Sequence, residues 1–119
     1  MAGHSQASDA DINVLLDTIK SGGYYLVWEE NNVIKGWIGV GKTIEQPLGR
    51  KAGMIPELYV FPSYRREGIG QKLCKEACRR LKQEGCKVVQ LNVFKGNRAR
   101  QMYEKLGFNE VFTVMEKSL

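Results

Sequence analysis

Apolar and polar positions along the chain follow two different periods, and the changes between them mark out the elements. Ile12, Leu15, Leu16 and Ile19 recur at i, i+3, i+4 and i+7 between Asp9 and Lys20. That spacing predicts an amphipathic helix, capped by Ser8 or Asp9 and stopped by Gly22-Gly23. Tyr24 to Glu29 reads as a strand, Asn31-Asn32 as a turn and Val33 to Thr43 as a second strand, together an antiparallel hairpin. Gly36, Gly39 and Gly41 interrupt the second strand and point to a bulge or a close backbone neighbour. Ile44 to Gly53 is read as a polar loop carrying Pro47, Arg50 and Lys51. A third strand comes next over Met54 to Phe61, with Pro56 inside it. Proline cannot donate to a ladder, so an interior strand must bulge or part from its neighbour there; Pro56 would also suit an ordinary strand start.

Ile69, Leu73, Ala77 and Leu81 then carry a helix from about Gly68 to a stop near Gly85. Val88 to Phe94 is a strand of the buried type. Asn97 caps a short helix whose Ala99, Met102, Tyr103 and Leu106 share a face and which Gly107 closes, and Phe108 to Glu116 is a last strand. The antiparallel hairpin and the strand–helix–strand–helix–strand after it predict an α/β fold with a mixed central sheet flanked by helices, with right-handed crossovers between parallel strands. Residues 9–119 form one domain in this reading, and the polar, aperiodic residues 1–8 a disordered terminus that makes His4 a poor catalytic candidate.

Composition narrows the setting. No apolar run approaches the ~18 residues that span a bilayer, and no signal peptide opens the chain. The odd count of 3 cysteines argues for a reducing, cytoplasmic compartment over a disulfide framework. Cys74, Cys78 and Cys86 lack the paired spacing and histidine partners of a zinc site, and no histidine is at hand to activate a cysteine nucleophile, so they read as packing residues. A formal net charge of +5 favours an anionic partner: nucleic acid, a membrane surface or a phosphorylated cofactor. Arg65, Arg66, Lys72, Lys75, Arg79, Arg80 and Lys82 crowd one helix and its approach, most simply as a solvated face. No recognised nucleic-acid-binding motif accompanies them.

The chemistry concentrates in Leu58-Tyr59-Val60-Phe61-Pro62-Ser63-Tyr64-Arg65-Arg66-Glu67-Gly68-Ile69-Gly70-Gln71-Lys72. A strand here meets a glycine turn and the start of a helix, whose unpaired N–H groups and dipole make a seat for a phosphate. There is no third glycine for a dinucleotide fingerprint and no Gly-Lys-Ser/Thr of a P-loop. A strand-to-helix turn that carries glycines for steric reasons alone has the same look.

With the strand before it, Arg65-x-x-Gly68-x-Gly70 resembles the acetyl-CoA signature of the GNAT superfamily of N-acetyltransferases. Ala99, Tyr103, Gly107 and Phe108 resemble the same family's Asn-x-x-Ala-x-x-x-Tyr-x-x-x-Gly-Phe segment, with Gly96 in the usual asparagine slot and Asn97 one residue later. The resemblance implies an acetyl-CoA-dependent N-acetyltransferase acting by direct transfer to a primary amine of a small molecule or peptide. It implies that the third strand bulges and splays so that pantetheine enters the gap. The backbone of Leu58 and Val60, flanking Tyr59, would pair with the pantetheine amides and polarise the thioester carbonyl. The amides of Arg66, Glu67, Gly68, Ile69, Gly70, Gln71 and Lys72 would seat the pyrophosphate, with Arg65, Arg66 and Lys72 attracting the phosphates. Asn97 would touch the pantetheine arm or simply cap its helix. Tyr103 would protonate the departing thiolate, its plain alternative being apolar packing. Glu57, facing opposite to Leu58, would be the base, its plain alternative a solvated carboxylate.

Against the family pattern, one helix instead of a strand and two helices precedes the hairpin, and there is room for one long closing strand or a very tight pair instead of two. An uncovered sheet edge then predicts a homodimer. The same shortening leaves open a non-catalytic acyl-CoA-binding sensor or assembly module, and the charge a basic nucleic-acid binder.

Overall fold

The computed structural model describes Leu16 and residues 18–119. Residues 1–8 and most of the expected first helix lie outside the described residues. Leu16 and residues 18–20 are helical, and the helix ends where Gly22 (φ +88°) and Gly23 donate back to the carbonyls of Ile19 and Thr18 at 3.1 and 2.8 Å. The chain then forms β1 (Tyr24–Glu30), β2 (Val33–Glu45), β3 (Arg50–Val60), a 3-10 turn (Pro62–Tyr64), α1 (Ile69–Gln83), β4 (Val88–Gln90) and α2 (Ala99–Lys105). The sheet order is β1-β2-β3-β4, the first two pairings antiparallel and β3–β4 parallel, so the expected mixed α/β sheet is present.

Asn31 (φ +52°) and Asn32 (φ +64°) turn β1 into β2, both left-handed as a tight two-residue hairpin requires. The polar loop expected over residues 44–53 is instead a second hairpin. Thr43↔Ala52, Ile44↔Lys51 and Glu45↔Arg50 continue the ladder, and only residues 46–49 turn. Thr43 and Ile44 are β-branched, and Arg50 pairs with Glu45 at 2.5 Å across the turn, so strand preference and charge together override the loop reading.

The bulge expected near Pro56 exists. Gly39 opposes Glu57 and Gly41 opposes Met54, leaving Ile55 and Pro56 together against Val40. On the other side β4 pairs only Ala52, Gly53 and Met54. Residues 91–94, expected to extend β4, are irregular, and so is the expected last strand over Phe108 to Glu116. A strand needs a partner ladder. The last segment instead has its Glu110 bonded to Arg100 at 2.8 Å and to the Thr113 hydroxyl at 3.1 Å.

One face of the sheet carries the core. Ile38, Val40 and Ile55 meet Leu73, Cys74, Ala77 and Leu81 of α1, with Tyr24, Leu26, Trp28, Leu58 and Val60 packed around them. Gly53 is needed at the closest approach, because a Cβ there would lie 2.5 Å from a Leu81 methyl. Glu84 at the end of α1 accepts from the Tyr24 hydroxyl (2.9 Å) and pairs with Lys42 (2.8 Å), tying the helix to β1 and β2.

Gly53→Ala should destabilise by roughly 1–3 kcal/mol through overpacking, and Leu81→Ala by roughly 2–5 kcal/mol through a cavity. The double variant should cost less than their sum in urea unfolding, since each change relieves the other. The Lys42 and Tyr24 bonds hold the Glu84 carboxyl below the usual carboxylate range. Its contribution is therefore present above the unfolded pKa and is lost as pH falls through the lower folded one. Burial, then the Glu84 bond, push Tyr24 up to about 12, so its contribution fades as pH rises from the ordinary tyrosine value of ~10 towards that point. In Glu84→Gln, melting temperature should fall less steeply below pH ~4 than in the unaltered protein.

Candidate functional site

β3 is the element on which the site is built. The Phe61 N–H donates to the Lys35 carbonyl at 3.0 Å, and Gly36 opposes Val60. By antiparallel alternation, residues 57, 59 and 61 therefore bond to β2, while Leu58 and Val60 turn their N–H and C=O groups the other way. That side would belong to β4, but β4 pairs no further than Met54. The residues expected to receive an extended ligand thus have no strand paired on that side among the described residues. Arg65 Nε already donates to the Val60 carbonyl at 2.7 Å, so that acceptor is partly engaged and the turn is latched to the strand.

The turn after β3 has the form of an anion seat. Arg66 (φ +69°) and Gly68 (φ +81°) are both left-handed, the first an uncommon conformation for a residue with a Cβ. α1 starts on Gly68 with no capping side chain and no acid in its first turn. Its first helical bond runs from Lys72 N–H to Gly68 O at 3.1 Å, so the N–H groups of Ile69, Gly70 and Gln71 have no helical acceptor. Ile69 points its side chain into the core, and Glu67, Gly68 and Arg66 are exposed. Two of the cations expected to draw phosphate lie over rings: Arg65 is 5.4 Å from the Tyr59 centroid and Lys72 5.4 Å from that of Trp28.

α2 closes the same end of the molecule. A Cβ on Gly70 would sit 3.7 Å from both Leu58 Cδ2 and Met102 Sδ, so the glycine turn, β3 and α2 converge at this point. Tyr103, the next residue after Met102, is buried and packs edge-on against Phe108 at 5.7 Å. Burial, reinforced by Cys74 beside it, raises the phenol pKa, so the group stays protonated. Cys78 as hydrogen-bond partner, together with burial, likewise keeps Cys74 a thiol.

Asn97 acts as a cap, its Oδ1 accepting from the Ala99 N–H at 2.8 Å. Glu57 lies on the sheet face opposite Leu58, as expected, and accepts from the Tyr25 hydroxyl at 2.8 Å. Burial, then that bond, push Tyr25 up to about 12. Sequence reasoning does not single out Tyr25; the β1–β2–β3 register, which carries Tyr25 to Gly39 and Gly39 to Glu57, is the signal that reveals it. The same face holds a cluster of Trp37, Tyr59 and Phe61 with centroids 5.0 to 5.5 Å apart.

The basic run on α1 is a solvated face in part neutralised from within, since Glu76 bonds both Arg79 and Arg80. Among the described residues, no helix is long and apolar enough to cross a membrane and no group of three His, Cys, Asp or Glu side chains is placed to hold a metal.

The chain is similar to known proteins in sequence and in fold. A ribosomal protein bS18-alanine N-acetyltransferase of Haemophilus influenzae is 35% identical over 82 residues, which are 69% of this chain and 52% of that protein, so the chain spans about half the relative's length. A solved putative acetyl transferase from Pyrococcus furiosus superposes with a TM-score of 0.82 at 24% identity, covering 93% of this chain and 76% of its own. AAC(6')-Iy, solved in complex with the bisubstrate analogue CoA-S-monomethyl-acetylneamine, superposes with a TM-score of 0.75 at 17% identity over 95% of this chain and 80% of its own. The acetyltransferase (GNAT) family model matches residues 3–108, a span that takes in the strand, the glycine turn and α2 alike, and the chain belongs to that family.

Proposed function

We propose that the protein is an acetyl-CoA-dependent N-acetyltransferase that transfers the acetyl group directly to a primary amine. The observation that carries this reading is the pairing of an unladdered β3 edge at Leu58 and Val60 with the uncapped start of α1 one turn away. An extended amide-bearing arm needs the first and its pyrophosphate needs the second. When bound, acetyl-CoA supplies an activated acetyl thioester. The residues of the chain hold and move protons around it. The Leu58 and Val60 backbone orients the arm, and the N–H groups of Ile69, Gly70 and Gln71 hold the pyrophosphate. Tyr103, kept protonated by burial, has a proton to give the leaving sulfur. Glu57, steadied by the bond it accepts from Tyr25, takes one from the amine, directly or through water. The amine nitrogen gains a bond to the acetyl carbon as the carbon–sulfur bond breaks, so one proton is lost at nitrogen and one gained at sulfur.

The acceptor is an amine of a small molecule or a peptide. The relative named for alanine acetylation and the neighbour solved with an acetylneamine bisubstrate analogue support the amine class and do not choose within it. The free thiols at Cys74, Cys78 and Cys86 fit a reducing, cytoplasmic setting. β4, an edge strand of three residues, fits a working homodimer. A second reading, an acyl-CoA-binding module without turnover, is favoured by one feature: Tyr103 is a packed member of the core cluster.

Titration calorimetry tests the cofactor seat. A Cβ at Gly70 meets only ordinary contacts at 3.7 Å and beyond, so Gly70→Ala should fold, and Gly70→Glu adds a carboxylate where the phosphates would lie. Micromolar binding of acetyl-CoA by the unaltered protein is expected, with at least a tenfold loss (about 1.4 kcal/mol) in Gly70→Glu. A folded protein that gives no binding heat removes the enzyme and module readings together. Tyr103→Phe keeps the ring against Phe108 and removes the proton. It should lower kcat by ~100-fold or more with KM little changed. Binding intact with no acetylation of any amine in a broad panel would favour the module. Because burial raises the phenol pKa, any loss of rate from Tyr103 deprotonation should begin only above pH ~10.

A further inference from the structure

Tyr25, Gly39 and Glu57 stand in one cross-strand row, on β1, β2 and β3 in turn. Neighbouring strands lie ~4.8 Å apart, so the first and last of the three are separated by roughly 9.6 Å. Directly opposed side chains meet across one such spacing, not two. The Tyr25 side chain nevertheless reaches Glu57, its hydroxyl donating to Oε1 at 2.8 Å. It does so by lying across β2, and the residue it crosses has no side chain. A Cβ on Gly39 would lie 3.0 Å from Tyr25 Cζ and 3.2 Å from the Tyr25 hydroxyl oxygen. Glycine weakens a strand interior, and the φ of Gly39 is not left-handed. Close passage of the phenol accounts for it.

Two further features fix this bridge. Thr18, 6% exposed at the end of the first helix, bonds the same Tyr25 hydroxyl and favours its deprotonated form, as a donor to the oxygen does. The hydroxyl's own proton is then left to point at Glu57. On β3 the row stands directly beside the bulge, since Gly39↔Glu57 is the pair next to Ile55 and Pro56 against Val40. Bulges re-aim the side chains at their flanks. Glu57 spends Oε1 on Tyr25, and its Oε2 has no bonded partner among the described residues. A carboxyl group held by one oxygen and open at the other has a set direction.

We propose that Tyr25 and Gly39 are positioning residues for the transfer: the phenol laid across Gly39 holds Glu57 by Oε1 and so presents Oε2 to the incoming amine. The proposal rests on the reading of Glu57 as base given above, and adds which oxygen takes the proton and what aims it. The proton passes from the amine nitrogen to Oε2, directly or through one water, while Tyr25 keeps its own. Burial, then the Glu57 bond, raise the Tyr25 phenol, so it stays a donor throughout. Neither residue touches the substrate, and both act through Glu57. A bond that served stability alone would matter equally with or without the Glu57 carboxyl group, and that difference is measurable.

A double-mutant cycle on kcat tests it, read as release of the CoA thiol with a panel of primary amines that begins with an N-terminal alanine peptide and an amino sugar. Glu57→Gln should lower kcat by ~100-fold with the best acceptor of the panel. Tyr25→Phe keeps the ring over Gly39 and should lower kcat by ~10-fold, with acceptor KM and circular dichroism little changed. Gly39→Ala presses on the ring and should fall between the unaltered protein and Tyr25→Phe. In the Glu57→Gln background, Tyr25→Phe should cost less than about twofold, because its effect passes through a group already removed. Full activity in Tyr25→Phe, or an equal loss in the two backgrounds, overturns the proposal and leaves Glu57 as base. Full activity in Glu57→Gln overturns the base reading and the proposal with it. An unaltered protein that acetylates no amine of the panel removes the enzyme reading and both. Should Gly39→Ala fail to fold, the Tyr25→Phe cycle decides alone.

Discussion

The unequal pairing of β3 with its two neighbours is the constraint on which the site depends. Towards β2 the strand is laddered from Arg50 to Val60 with one bulge; towards β4 it is laddered for Ala52, Gly53 and Met54 alone. Pro56 sits at the change. It has no N–H to give, and the extra residue it brings bends the strand so that residues 57–60 cannot keep parallel register with β4. The cost of the parting is a set of backbone groups at Leu58 and Val60 with no neighbouring strand, and buried or half-buried backbone groups are seldom left so. An edge of that kind is stable only where water, a side chain such as Arg65, or an extended ligand completes it.

The rest of the molecule holds that edge next to the turn. α1 cannot shift along the sheet, because Leu81 lies against the bare Cα of Gly53 and Glu84 is bonded to β1 and β2. Its N-terminus is consequently fixed beside Val60, with Arg66 and Gly68 in left-handed conformations that direct the chain from strand to helix. Strain in Arg66 is of the sort found where function, not packing, sets the backbone. Met102 then meets Gly70, which brings α2 and Tyr103 to the same end. Three separate elements therefore converge through glycines at their points of contact. That explains why these positions, and not the exposed cations, are the informative part of the turn.

Much of this is legible in the sequence because it rests on local chemistry. Pro56 signals either a break in a ladder or a strand start, and Gly68 ahead of Ile69, Leu73, Ala77 and Leu81, with Gly70 in the first turn, signals a helix start without a capping side chain. Pairings between distant residues are what the sequence hides. Residues 44–53 look like a loop until Glu45 is set across from Arg50. Glu57 looks like a solvated strand carboxylate until the register brings Tyr25 to it. Asn97 reads equally as a ligand contact and as a cap, and its bond to Ala99 N–H gives the cap a physical basis.

The last strand departs from its sequence pattern for a more instructive reason. Composition specifies that residues 111–115 prefer a pleated, buried surface; it does not specify whose surface. Strand preference is a statement about packing against neighbours, and β4 offers three paired residues and an outer edge with no strand among the described residues. The same physics that parts β3 from β4 to open the site also shortens β4, because a parallel strand that loses its partner after Met54 has no reason to continue past Gln90. A fold that parts β3 from β4 beyond Met54 is thus left with a short β4 whose outer edge has no strand among the described residues.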